Sequence, residues 1–135
     1  MKSLTVPARS ECVEEINAFV GQELEAYDCP MNVQMQIELA IEEIFVNIAS
    51  YAYHPVEGEA EIRCDILRDP LRVELQFLDS GKPYDPLARE DADTSEEALM
   101  GREGGLGILL VKKTMDDVKY AYENGKNILT IQKKL

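Results

Sequence analysis

The apolar positions of the first part of this chain predict a strand followed by two helices. A short apolar run at 3–6 predicts the strand, and helical spacing begins after Ser10, which we place as an N-cap. The apolar face of this first helix consists of Val13, Ile16, Phe19, Val20 and Leu24. A longer helix is predicted over 32–52, and His54 and Pro55 end it.

Two pairs of alternating segments each predict an antiparallel hairpin. The first pair surrounds a turn signal at 68–70, and the second surrounds Asn124-Gly125. The alternating positions of the first pair are Ala60, Ile62, Cys64, Ile66, Val73, Leu75 and Phe77. Those of the second are Val118, Tyr120, Tyr122, Ile128 and Thr130.

Between the hairpins, the polar and irregular stretch 81–104 predicts a lid over a site, and 108–115 predicts a third helix. These elements indicate an α+β fold, a two-layer α/β sandwich. Its sheet is expected to be mixed, mostly antiparallel, and covered on one face by helices. With no linker or repeat along the chain, we expect one domain over 1–135.

Composition narrows the choice of partners. Lys and Arg number 14 against 26 Asp and Glu, which gives a formal net charge of -12. This charge repels nucleic acids and acidic membranes, so we expect neither as a partner. A nucleotide ligand is not excluded, because backbone N–H groups and a metal ion can override the global field locally.

The cysteines predict a reducing environment. Cys12, Cys29 and Cys64 are odd in number and lack the spacing of a zinc site, so neither structural zinc nor a disulfide framework is expected. The N-terminal apolar run is too short for a signal peptide or a membrane span. We therefore expect a cytoplasmic protein.

The long helix carries polar residues on an otherwise apolar circumference. At 100° per residue, Gln36, Glu43, Asn47 and Ser50 share one narrow stripe. This stripe is either the wall of a polar pocket or a solvated face, and the helix alone does not decide between them.

Two further features break their local pattern. Asp79 continues the phase of Val73, Leu75 and Phe77, and Gly81 follows it, which fits either a ligand site or a strand-ending turn. The run 101–107 is rich in glycine and precedes a helix, so it is either a phosphate-binding loop or a flexible linker.

Taken in order, these motifs resemble the Bergerat-fold ATPases. The motifs are 43–47 (EIFVN), 78–86 (LDSGKPYDP) and 104–107 (GGLG). Within that superfamily, the chain resembles the anti-sigma-factor serine kinases of bacterial partner-switching systems. The resemblance spans roughly 34–118.

The resemblance implies a role for each matching residue. Asn47 is expected to ligate Mg²⁺, with Glu43 as the general base, although Glu38 and Glu42 leave that assignment open. Asp79 and Gly81 are expected to receive the adenine of ATP. The residues implied to hold phosphate or to support adenine are Gly104, Gly105, Leu106, Gly107, Arg102 and Thr130, with Arg102 at the γ-phosphate.

The implied function is that of an ATP-dependent serine/threonine protein kinase. It would bind a sigma factor or a similar regulator and phosphorylate a small antagonist protein, and it could form a homodimer. The alternative is a Mg-ATP-gated sequestering module without kinase activity. ATP and Mg²⁺ are the expected cofactors in both cases.

Overall fold

Three helices and five strands follow one another in the part of the chain that the structure describes. The computed structural model describes residues 1–52, 58–88 and 105–135, apart from the side chains of Tyr51 and Leu106. The elements in chain order are β1 (Lys2–Pro7), α1 (Val13–Ala26), α2 (Met31–Tyr51), β2 (Glu59–Leu67), β3 (Arg72–Asp79), α3 (Gly105–Thr114), β4 (Asp117–Glu123) and β5 (Lys126–Lys134). This order confirms the predicted order of helices and strands.

The five strands form one sheet in the order β1-β2-β3-β5-β4. All four pairings are antiparallel, so the sheet has no parallel part among the described residues. Both predicted hairpins are present, as β2-β3 and β4-β5. In the second hairpin Asn124 and Gly125 have φ angles of 54° and 76°, the left-handed pair that a tight two-residue turn requires.

The helices cover one face of the sheet and form the core with it, which confirms the predicted two-layer α+β sandwich. The apolar face predicted for α1 lies in this core, where Ile16, Val20 and Leu24 are buried. The largest buried side chains from α2 and the sheet are Ile37, Ile41, Phe45, Ile62, Leu75, Phe77 and Ile131. No helix in the described segments is long and apolar enough to cross a membrane.

The buried face of β5 is formed by the alternate set of residues to the pair Ile128 and Thr130 that indicated the strand. The buried positions of this strand are Asn127, Leu129 and Ile131. The strand is apolar at neighbouring positions, so period-two alternation alone does not define its phase. Pairing with β3 decides the phase, because Leu129 lies opposite Phe77.

The first helix also begins differently from the prediction. Ser10 is not an N-cap; it opens a 3-10 turn, Ser10–Cys12, whose N-cap position is Arg9. No side chain caps this turn, and the Cys12 N–H donates to the Arg9 carbonyl at 3.0 Å. The start of the helix is thus a tightened turn that α1 continues from Val13.

The long helix α2 is less buried than its composition suggests. Met31, Met35 and Leu39 are 77%, 62% and 43% exposed, although an apolar circumference predicts burial nearly all round. The sheet lies below α2 and the other two helices pack beside it, which leaves one side of α2 facing solvent. The predicted end of this helix at His54 and Pro55 lies outside the described residues.

The third helix begins earlier than predicted. It starts at Gly105 rather than at residue 108, so the second half of the glycine-rich run forms its first turn. Of the predicted lid, the structure describes 81–88, which include a 3-10 turn at Pro86–Ala88. The rest of the lid, with Arg102 and Gly104, lies outside the described residues.

Candidate functional site

A cavity of about 490 Å³ lies between α2, α3 and one end of the sheet. Its polar side chains come from four parts of the chain and are Asn47, Asp79, Lys82, Tyr84, Tyr120 and Asn127. Its apolar side chains are Ile44, Ile48, Ala52, Phe77, Pro83, Pro86, Ile108 and Leu129. An apolar cavity with a few convergent polar groups is the usual form of a small-molecule site.

Asp79 is the buried acid of this cavity. It ends β3 on the same side as Phe77 and is only 6% exposed, as the strand alternation predicts. Its Oδ1 accepts hydrogen bonds from the Gly81 backbone N–H at 2.9 Å and from Asn127 Nδ2 at 3.0 Å. These bonds compensate for the burial of the carboxylate and hold it in one orientation.

Gly81 lets the chain leave β3 close to the end of α2. A Cβ at this position would lie 2.7 Å from the Ala52 carbonyl carbon and 2.8 Å from the Ala52 Cβ. Such contacts exclude a side chain, because backbone atoms cannot yield by that much. A close approach to α2 therefore requires glycine at position 81, and Gly81 is not among the residues that line the cavity.

Asn127 is a site residue that the sequence analysis missed. It is 7% exposed and joins Asp79 to the segment that follows β3, because its Nδ2 also donates to the Lys82 carbonyl at 2.9 Å. Its Oδ1 accepts from the Tyr84 N–H at 3.1 Å and from the Tyr120 hydroxyl. The signal was its spacing of two and four residues from the buried Leu129 and Ile131.

Thr130 is not brought to the cavity. It is paired with Gln76, and its Oγ1 accepts a hydrogen bond from Gln76 Nε2 at 3.4 Å. Both side chains lie on the face of the sheet opposite to Phe77 and Leu129, because side chains alternate along a strand. Asn127, and not Thr130, is therefore the β5 residue that contacts Asp79.

Tyr120 closes the polar end of the cavity on β4. Its hydroxyl donates to Asn127, and burial raises the pKa of this phenol above its ordinary value. A phenol is already protonated at neutral pH, and the raised pKa of Tyr120 extends its role as a hydrogen-bond donor to more alkaline pH.

Glu43 lies against the first turn of α3. A Cβ on Gly107 would meet the Glu43 carboxylate, at 2.7 Å from Cδ and closer still to Oε2. Only a glycine permits this approach, which places a negative charge at the positive end of the α3 dipole. Of the three acids considered for the base, Glu42 is exposed and Glu38 accepts from Gln34 Nε2 at 3.3 Å.

Asn47 lies one helical turn after Glu43 and lines the cavity. Its amide oxygen is a hard ligand of the kind that Mg²⁺ accepts. The described residues hold no cluster of three or more His, Cys, Asp or Glu side chains suited to a metal. A metal at Asn47 would therefore need most of its other ligands from a bound phosphate and water.

The other predicted residues of the polar stripe lie away from the cavity, whereas two residues of the glycine-rich run lie in the first turn of α3. Gln36 is half-buried and Ser50 is exposed, and neither lines the cavity. Gly105 and Leu106 lie in the first turn of α3 by their backbone, where N–H groups lack partners within the helix. Of the stripe, Asn47 lines the cavity, whereas Glu43 is not among the lining residues and lies one helical turn away against Gly107.

Comparison with known proteins identifies the family. The histidine kinase-like ATPase domain matches residues 6–133. The serine-protein kinase RsbW of Listeria monocytogenes is 33% identical over 97 residues, which cover 69% of this chain and 61% of that protein. RsbW of Halalkalibacterium halodurans is 27% identical over 126 residues, covering 90% of this chain and 76% of that protein.

The fold comparison agrees. A chain of the SiaB–SiaC complex from Pseudomonas aeruginosa superposes with a TM-score of 0.61 at 18% identity, covering 100% of this chain and 90% of that one. At this identity, the likeness concerns the fold. With its antiparallel sheet, helical layer and matched residues 6–133, the chain belongs to the histidine kinase-like ATPase domain family.

Proposed function

We propose that this protein is an ATP-dependent serine/threonine protein kinase of a bacterial partner-switching system. It acts in the cytoplasm, binds a sigma factor or similar regulator, and phosphorylates a small antagonist protein. The observation that carries the proposal is that one cavity contains both Asp79 and Asn47, while Glu43 lies one turn from Asn47 against α3. The similarity to serine-protein kinases supports the choice of reaction.

The base of ATP is assigned to the Asp79 end of the cavity. Both hydrogen bonds found for this carboxylate within the described residues end on Oδ1. Oδ2 would accept a hydrogen bond from the exocyclic amine of adenine, which guanine does not present at that position. Phe77 and Leu129 supply apolar surface for the ring.

The phosphates are assigned to the other end, beside α2 and α3. The first turn of α3 offers backbone N–H groups and a positive dipole, with Gly104, Gly105, Leu106 and Gly107 assigned to the phosphate loop. Asn47 would hold a Mg²⁺ ion, which neutralises phosphate charge when bound. Arg102 is assigned to the γ-phosphate.

Glu43 is assigned as the general base. Its carboxylate would accept the proton of a Ser or Thr hydroxyl on the partner protein while that oxygen attacks the γ-phosphorus. The bond to the bridging oxygen breaks, and ADP leaves with the electron pair. Gly107 supports this assignment, because its missing side chain leaves room for the Glu43 carboxylate next to the phosphate loop.

The proposal is tested first by calorimetric titration with ATP and ADP, with and without Mg²⁺. We expect saturable, metal-assisted binding to the wild type, loss of ATP binding in Asp79→Asn, and loss of the metal dependence in Asn47→Ala. Absence of binding to folded wild type would contradict the assignment of the site.

Transfer of label from ATP to candidate antagonist proteins tests the kinase step separately. Labelling of a Ser or Thr on one of them supports the kinase. Tight ATP binding with every partner unlabelled would favour the sequestering module.

A further inference from the structure

Asn127 has more hydrogen-bond partners around the cavity than a structural side chain at the start of a strand requires. Its Nδ2 contacts Asp79 Oδ1 at 3.0 Å, the Lys82 carbonyl at 2.9 Å and, more weakly, the Gly81 carbonyl at 3.5 Å. Its Oδ1 accepts from the Tyr84 N–H and the Tyr120 hydroxyl. One amide therefore joins β3, β4, β5 and the segment after β3.

These partners fix the orientation of the amide. Nδ2 faces a carboxylate and carbonyls, which only accept, whereas Oδ1 faces an N–H group and a hydroxyl, which donate. Turning the amide over would place its oxygen against acceptors and its nitrogen against a donor. The network is satisfied in one orientation only.

These hydrogen bonds leave the Asn127 amide no free donor or acceptor for a nucleotide. An amide offers two N–H groups and two oxygen lone pairs, and the four shortest contacts use all of them. Any effect of Asn127 on the base must therefore pass through a neighbour. Asp79 is that neighbour, because it lines the cavity and shares a hydrogen bond with Asn127.

The bond from Asn127 limits rotation of the Asp79 carboxylate. Gly81 N–H and Asn127 Nδ2 both donate to Oδ1, so the other oxygen is presented in a fixed direction. A group held in its binding orientation before the ligand arrives loses less entropy on binding. The same amide fixes the backbone at Lys82 and Tyr84, two residues that also line the cavity.

We propose that Asn127 is a positioning residue for base selectivity: it orients Asp79 to accept a hydrogen bond from a 6-amino purine. This inference rests on the proposed function, since it assumes that Asp79 receives adenine. Asn127 acts without touching the nucleotide.

The test measures dissociation constants of Mg-ATP and Mg-ITP by calorimetry. Inosine triphosphate carries an oxygen in place of the 6-amino group, so it cannot donate to Asp79. We expect the wild type to prefer ATP about 10- to 100-fold, the discrimination of one hydrogen bond to a charged group. Asn127→Ala should reduce this preference about 10-fold by weakening ATP, with the affinity for ITP nearly unchanged.

Two further variants complete the test. Tyr120→Phe removes one donor to the Asn127 oxygen but keeps the ring, and should lower the preference by about 2- to 5-fold, in the same direction. This variant is decisive if Asn127→Ala does not fold. Gln132→Ala is the matched control, because it removes a hydrogen-bonded amide from the opposite face of the same strand and should keep the wild-type preference.

Each outcome has a clear meaning. The inference is supported if Asn127→Ala loses most of the preference for ATP while its affinity for ITP is retained. Equal loss of both affinities, or an unchanged preference, overturns it while leaving the proposed function in place. A wild type that binds neither nucleotide overturns the proposed function itself.

Discussion

At the scale of single residues, two missing side chains shape the cavity. Gly81 brings the end of β3 against the last turn of α2, and Gly107 brings α3 against Glu43. Neither glycine has a left-handed φ angle, so each is explained by space rather than by backbone conformation. The geometry around the site therefore depends on two positions that have no room for a methyl group, as well as on its polar groups.

Gly107→Ala should separate nucleotide binding from phosphoryl transfer. The added methyl displaces the Glu43 carboxylate, and we expect the transfer rate to fall by about 10- to 100-fold, as misplacement of a catalytic group does. ATP affinity should fall by less than the transfer rate does, because the new methyl lies in the assigned phosphate loop while the Asp79 end of the cavity is untouched. Single-turnover transfer and calorimetry measure the two effects.

Gly21→Ala is the matched control for that variant, since a Cβ there would meet Gln34 Nε2 only at an ordinary 3.8 Å. Equal loss of transfer in both variants would count against the Glu43 contact as the cause.

Glu43→Gln should abolish most phosphoryl transfer while preserving the fold. Loss of a general base lowers rates by about 10²- to 10⁴-fold, and the amide keeps the size of the carboxylate. The comparison variant is Glu42→Gln, at the exposed neighbouring position. If Glu42→Gln were the slower enzyme, the base would have to be reassigned.

Asp79 and Asn127 show what residue patterns could predict. Asp79 extends an unambiguous alternation in β3, so its inward position followed from the sequence. Asn127 lies in phase with the buried Leu129 and Ile131 of β5, but Ile128 beside Leu129 makes the other phase equally plausible from the sequence. Only the pairing with β3 selects the phase, and pairing between distant strands is not encoded locally.

At the scale of elements, type and order were predictable, whereas the ends and the exposed side of helices were not. The turn at Asn124-Gly125 defined its hairpin, because both residues tolerate left-handed angles. The exposure of Met31 and Met35 on α2 depends on where neighbouring helices pack, which a single-helix pattern does not contain. The early start of α3 places Gly107 in its first turn, beside Glu43 of α2.

Gly21→Ala should stabilise α1. The residue lies inside the helix, and the new methyl meets nothing closer than 3.8 Å. Alanine reduces the backbone freedom of the unfolded chain, so we expect the free energy of unfolding to rise by about 0.5–1 kcal/mol. Urea denaturation measures this; a decrease would show that the helix is strained at Gly21.

At the scale of the whole molecule, the buried thiol of Cys64 makes the stability of the fold decrease at alkaline pH. Burial raises the pKa of this thiol from 9.0 to about 12. Between these values the unfolded chain loses the proton while the folded one retains it, so stability is complete below pH 9 and falls as pH rises towards 12. The expected contribution is about 1.4 kcal/mol per pH unit.

Denaturation at several pH values above 9 measures this slope in the wild type and in Cys64→Ala. Removing the thiol should reduce the fall in the free energy of unfolding with pH by the contribution of Cys64. Cys12→Ala removes a half-buried thiol elsewhere in the chain and is the control variant. Identical slopes in all three proteins would contradict the assignment to Cys64.

Asp79 and Asn127 form a hydrogen bond at the end of the cavity assigned to adenine, and their separation in sequence affects the kinetics of folding. Asp79 and Asn127 are 48 residues apart in sequence, and they meet only after β5 has paired with β3. We expect the closing of so long a loop to be late in folding, because its entropy must be lost before the pairing compensates. Nucleotide would then find no complete site on a folding intermediate that lacks β5. Its binding should prolong the lifetime of the native state by slowing unfolding, and leave the refolding rate nearly unchanged.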